Sequence, residues 1–121
     1  MKKLFLLATT LFFLVSCSTD PTINRIQEGT FNDCSKATIG DLVNNFFSNP
    51  KWEAIEATDG NNYVNLSGGM TYLDEPVDAL VQFTAPMTDY ASFEIAAFEL
   101  NGIPQNAFMI SGLVIAMCDE Y

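Results

Sequence analysis

Three cysteines, Cys17, Cys34 and Cys118, carry the most distinctive chemistry in this sequence. A thiol can be acylated, oxidised to a disulfide or used as a nucleophile, and its neighbours decide which. The chain has no histidine. A Cys-His dyad, a Ser-His-Asp triad and a His-ligated zinc are therefore excluded. No CxxC pair is present, which argues against thiol-disulfide exchange. The fifteen acids are the other reactive population. Asp74, Glu75 and Asp78 form their densest cluster, and Asp59-Gly60-Asn61-Asn62 is a second oxygen-rich stretch. Calcium needs six to eight oxygens in a set loop order, and the EF-hand pattern is absent. Solvated turns and a charged sheet edge account for these acids better. Paired carboxylates can run glycoside hydrolysis, but so many acids in a short chain make some pair inevitable. Neither a nucleophile elbow nor a phosphate loop is found. The expectation is a non-enzymatic protein with no metal and no cofactor.

The surroundings of Cys17 give that thiol a role. Met1-Lys2-Lys3 precedes an apolar run from Leu4 to Val15, broken only by Thr9 and Thr10. A cationic start, a dozen apolar residues and then small residues make a secretory signal. The run is too short to span a ~30 Å hydrocarbon core, which needs about 20 residues. It ends in Leu14-Val15-Ser16-Cys17, which resembles the lipobox of bacterial lipoproteins. The resemblance implies a diacylglyceryl group on the Cys17 thiol, cleavage between Ser16 and Cys17, and fatty acylation, such as by palmitate, of the new amine. The alternative is an ordinary secreted protein cleaved nearby, with Cys17 a spare thiol. Two or three acyl chains would hold the protein stably on a membrane. Ser18, rather than an aspartate, follows the cysteine. This favours the outer membrane, periplasmic side, if the host is Gram-negative.

Removing residues 1–16 sharpens the charge. The full chain carries -10. Beyond the signal only Arg25, Lys36 and Lys51 oppose fifteen acids, a net charge of -12. Such a domain is repelled by anionic headgroups and by nucleic acid and attracts cationic protein partners. If Cys17 is lipidated, Cys34 and Cys118 remain as an even pair in an oxidising compartment, which most simply forms a disulfide. Two reduced, buried thiols are the alternative. Closing so long a loop would stabilise the fold by about 4 to 5 kcal/mol.

The elements that position these residues are read from periodicity. An apolar fraction of 49% excludes intrinsic disorder. Residues 17–27, containing Asp20-Pro21, read as a lipidated tether, and 28–121 as one α+β domain. Ile26–Phe31 is expected to be extended. Thr38 with Asp41 suggests a cap, and Ile39, Leu42, Val43, Phe46 and Phe47 fall on one helical face, stopped by Ser48-Asn49-Pro50. Strands follow at Trp52–Ala57 and Tyr63–Ser67, with a bend at Gly68-Gly69 before Met70–Leu73. A turn is expected at Asp74-Glu75-Pro76. Val77, Ala79, Val81 and Phe83 alternate as a strand. A loop spans Ala85–Tyr90, and Phe93–Leu100 is a further strand ended by Asn101-Gly102. The expected sheet is an antiparallel meander of three or four strands. Ile103-Pro104 is taken as the start of a last helix, since proline suits a first turn. That helix, apolar from Ala107 to Met117, is expected to be buried on more than one side.

Several segments together resemble a small domain of uncharacterised bacterial envelope lipoproteins. They are Glu28-Gly29-Thr30-Phe31, Cys34, Ala37-Thr38-Ile39-Gly40, Phe46-Phe47-Ser48-Asn49-Pro50-Lys51-Trp52, Asp59-Gly60, Val81-Gln82-Phe83 and Asn101-Gly102-Ile103-Pro104-Gln105-Asn106. The resemblance implies an accessory envelope domain and fits the Cys34–Cys118 pairing. A second likeness is to small acidic inhibitors of cationic lysozymes, one family of which uses a Ser-Gly-x-x-Tyr loop. Here Ser67-Gly68 precedes Tyr72 by one residue too many. Tyr72 and Glu75 would be the contact residues of such an inhibitor. The leading expectation is a lipid-anchored, non-enzymatic binding or interaction module.

Overall fold

The first described element begins at a proline. In the structure, a computed structural model that describes residues 20–85 and 93–121, Asp20 caps a helix, α1 (Pro21–Glu28), by accepting the Thr22 N–H at 2.8 Å. Proline at the first helical position loses no hydrogen bond. Ile26 on this helix is completely buried. Residues 21–27, expected as tether, are thus part of the folded unit, and Ile26–Glu28 are helical rather than extended. Two isoleucines in eight residues are a weak periodic signal, and their burial against the rest of the chain decides the outcome. The expected signal segment, with Ser16 and Cys17, and residues 86–90 of the loop expected at Ala85–Tyr90 lie outside the described residues.

Phe31 and Cys34 form an isolated bridge around a two-residue turn. Helix α2 (Ile39–Phe46) follows as expected, with the Thr38 hydroxyl accepting the Asp41 N–H at 3.1 Å. Its face at Ile39, Leu42 and Val43 is fully buried. The chain then enters β1 (Ser48–Glu56), β2 (Asn62–Tyr72), β3 (Glu75–Thr84), β4 (Ile95–Leu100) and β5 (Ile103–Pro104). They form one antiparallel sheet in sequential order. The last element is helix α3 (Ala107–Asp119). The fold is α+β.

Cross-strand register puts Val64, Leu66, Ala79, Val81, Phe83, Phe98 and Leu100 on one face, and all are buried. Residues from all three helices join them in a single core. Trp52 on β1 stacks on Phe83 with ring centroids 5.9 Å apart. On the opposite face the Gln82 amide donates to Asn65 Oδ1 at 3.1 Å, a polar cross-strand pair.

Ser48-Asn49-Pro50 follows the end of α2 as expected and already belongs to β1, with an irregularity between Ser48 and Lys51. Gly68-Gly69 does not bend β2, whose register against β3 is continuous. Instead the glycines admit the irregular part of β1. A Cβ on Gly68 would sit 3.1 Å from the Ser48 carbonyl oxygen, and one on Gly69 3.0 Å from Ser48 Oγ. Asn101 and Gly102 make the expected tight turn, with φ of 51° and 81°, the left-handed pair suited to a two-residue hairpin.

Cys34 and Cys118 are joined by a disulfide, with Cα atoms 6.0 Å apart and a sequence separation of 84. It ties the turn after α1 to the last turn of α3.

Candidate functional site

The site is built on α3. Ile103-Pro104 does not open this helix. The Asn101-Gly102 turn returns the chain along β4, so that Ile103 pairs with Leu100 and Pro104 with Glu99. Helix α3 starts only after Asn106, whose Oδ1 accepts the Met109 N–H at 3.0 Å. From there to Met117 the helix has no charged residue. A helix that is apolar all round is ordinarily buried all round. Here only Leu113 and Met117 are buried, while Phe108 is 82% and Ile115 57% exposed. The expectation of burial on several sides is corrected: α3 packs Leu113 and Met117 into the core beside α2 and β4, and among the described residues nothing covers Phe108 or Ile115. Its far end is fixed by the disulfide and by Asn45 on α2, whose Nδ2 donates to the Glu120 carbonyl at 2.9 Å.

Between α3 and the sheet runs an apolar groove of about 290 Å³. Its helix wall is Phe108, Met109, Gly112, Leu113 and Ala116, with Glu120 at the helix cap; Phe108, Gly112 and Ala116 recur every four residues along the helix. Its sheet wall comes from Met70 and Tyr72 on β2 and Phe98 and Leu100 on β4. The Tyr72 hydroxyl reaches Met109 Sδ at 4.0 Å across the groove. Gly112 keeps the middle open: a Cβ there would meet no atom within 4 Å.

At one end of the groove stands the β2–β3 hairpin. Its turn is Leu73-Asp74, with φ of 53° and 65°, and Tyr72 pairs with Glu75. Glu75 and Pro76 therefore belong to β3, and the expected turn is displaced by one to two residues. The left-handed conformation usually favours glycine or asparagine, so leucine at this turn is costly. Leu73 is also 78% exposed. The tip thus presents an apolar side chain beside two acids.

The structure divides the acid cluster found in the sequence. Asp74 and Glu75 sit at the tip, and Tyr72 and Glu75 are brought together as neighbours across the strands. Asp78 lies farther along β3, opposite Gly69, its N–H donating to Asn101 Oδ1 at 2.9 Å. It borders a separate, more polar depression of about 320 Å³ beside Ser48 and Gly69. There the Ser48 hydroxyl donates to the Gly69 carbonyl at 3.3 Å. Asp59 is occupied in its own turn, accepting from the Asn61 N–H at 2.9 Å and the Asn61 amide at 3.1 Å. Among the described residues no three His, Cys, Asp or Glu side chains are grouped to hold a metal. Nor is any described helix long and apolar enough to cross a membrane.

Phe108, Gly112, Ile115 and Leu73 were not legible as site residues from the sequence. One signal was present: Ser111-Gly112 in the middle of an otherwise apolar helix, where glycine costs about 1 kcal/mol relative to alanine. Comparison with known proteins finds no matching family model, curated protein or solved structure.

Proposed function

We propose that this chain is a lipid-anchored lipoprotein of the cell envelope that acts as a non-enzymatic binding module through the groove beside α3. The observation that carries the binding reading is the unused apolar surface of α3. Phe108 lies exposed on the wall of a groove kept open beside Gly112, and Ile115 is exposed on the same helix outside the groove. Large exposed apolar patches on soluble domains mark interaction sites. The anchor reading rests on the Lys2-Lys3 start, the apolar run and the Leu14-Val15-Ser16-Cys17 box. Cys17 would carry the lipid after cleavage behind Ser16, leaving the acidic domain close to a membrane, the outer one in a Gram-negative host.

A photo-crosslinking side chain at position 108 in living cells tests the binding reading, with position 53 on the exposed edge strand as control. The reading expects an adduct specific to position 108. Equal adducts at both positions, or none, contradict it. Cys17→Ala tests the anchor: the variant should leave the membrane fraction, and continued retention refutes lipidation.

A second reading is supported by the hairpin. An exposed Leu73 beside Asp74 and Glu75 suits insertion into the cleft of a cationic hydrolase such as a lysozyme. Inhibition by the wild-type chain that is lost in Glu75→Lys would favour this reading. Unimpaired lysozyme turnover at saturating protein excludes it.

A further inference from the structure

The charges around the groove narrow the class of partner. Glu120 lines its far end, and at the near end the lining residue Tyr72 pairs across the hairpin with Glu75, next to Asp74 in the turn. No lysine or arginine is among the groove's described lining residues. The three basic residues beyond the signal lie elsewhere: Arg25 on α1, Lys36 before α2 and Lys51 on β1. The groove is therefore apolar along its length and acidic at both ends. From Phe108 to Glu120 it spans twelve helical steps, roughly 18 Å at 1.5 Å per residue. Its volume of about 290 Å³ lies at the low end of small-molecule sites, which run from roughly 300 to 1,000 Å³. A shallow trough of this length receives a row of side chains better than a cofactor. The helix row Phe108, Gly112 and Ala116 presents a ridge of spacing four with a dip at Gly112, the relief against which a second helix packs.

We propose, on the basis of the binding-module reading above, that the groove takes a cationic amphipathic helix from a protein partner. One aliphatic or aromatic side chain of that helix seats over Gly112. Its lysines or arginines face Asp74, Glu75 and Glu120. Two other occupants are disfavoured by the same charges. A second copy of this chain would meet the groove with the same acidic rim, since a two-fold contact sets one patch against itself. An anionic bilayer would be repelled by that rim.

The test uses the full chain in phosphatidylcholine nanodiscs, with empty nanodiscs as blank. The probe is an amphipathic Lys/Leu peptide of about 14 residues, four helical turns. Its controls are a Glu/Leu peptide of the same pattern and a Lys/Leu peptide with the pattern scrambled. The expected result is saturable binding of the patterned Lys/Leu peptide alone, with the methyl resonances of the lining residues Met109 and Leu113 shifting. Gly112→Leu, which fills the trough, should weaken binding by at least roughly tenfold, as for a lost buried anchor. Asp74→Lys with Glu75→Lys should weaken it by about tenfold and flatten its salt dependence, as expected of rim charges. The same change in net charge at Glu53 and Asp59 should leave affinity within about twofold, because those acids lie on β1 and in the turn after it and do not line the groove.

Several results overturn the proposal. Equal binding of the Glu/Leu peptide would show that apolar contact alone decides. Equal loss from the Glu53 and Asp59 reversals would show bulk attraction. Unchanged affinity in Gly112→Leu would move the site. A dimer that Phe108→Asp dissociates would make a second copy the occupant. A persistent crosslink from position 108 without peptide binding would keep the binding module and remove the cationic helix, so the two failures are distinguishable.

Discussion

Helices α2 and α3 flank the same core but use their apolar residues in opposite ways. Over eight residues α2 places Ile39, Leu42 and Val43 entirely out of water, and its polar positions Asp41, Asn44 and Asn45 face solvent. Over thirteen residues α3 is far more apolar, yet it buries only Leu113 and Met117. The first helix has the apolar surface that folding consumes and little more. The second has a surplus. Burial contributes about 25 cal/mol per Å² of apolar surface removed from water, so surplus left exposed gives the fold nothing. A partner can use it. The contrast locates structural load in α2 and binding capacity in α3.

Predictions that strain this contrast run from large to small. Replacing Cys34 and Cys118 by alanine should cost about 4 kcal/mol, since the bond joins residues with a sequence separation of 84. Thermal unfolding with and without reductant reads this. Hydrogen exchange should accelerate in α3 before α2, because α3 has the fewer buried anchors; equal acceleration in both would weaken the comparison. Next, Leu42→Ala should cost about 3 kcal/mol for a fully buried leucine, measured by urea unfolding. Gly112→Ala should then act in the other direction, raising stability by about 1 kcal/mol, because the added methyl meets open space. A loss of stability there would mean that the groove is closed. Smallest of all, Phe108→Ser should change stability by less than about 0.5 kcal/mol, as at other exposed positions.

Much of the scaffold was legible because its local signals agree with its tertiary role. Thr38 and Asp41 cap a helix whose apolar residues recur at helical spacing. Ala79, Val81 and Phe83 alternate into the core, and Asn101-Gly102 supplies the left-handed turn. The two cysteines left after Cys17 pair with each other. Asp20-Pro21 carried a valid helix-start signal, but the helix behind it has too few apolar residues to be read without knowing that Ile26 meets the core. Ile103-Pro104 suited a helical first turn equally well, and only the return of the chain along β4 makes it a strand. The site itself was the least legible. Composition states that α3 is apolar on every side, but which sides are covered depends on where the sheet ends. Leu73, in a turn of the kind that favours glycine or asparagine, gave no sign of its exposure.

The central claim is that the open face of α3 binds and does not stabilise. It is tested most directly by the affinity of the patterned Lys/Leu peptide for Phe108→Ser, measured beside the variant's thermal midpoint. The account predicts a loss of at least roughly tenfold in affinity with an unchanged midpoint. Unchanged affinity together with a lowered midpoint would make Phe108 part of the core's support and contradict it.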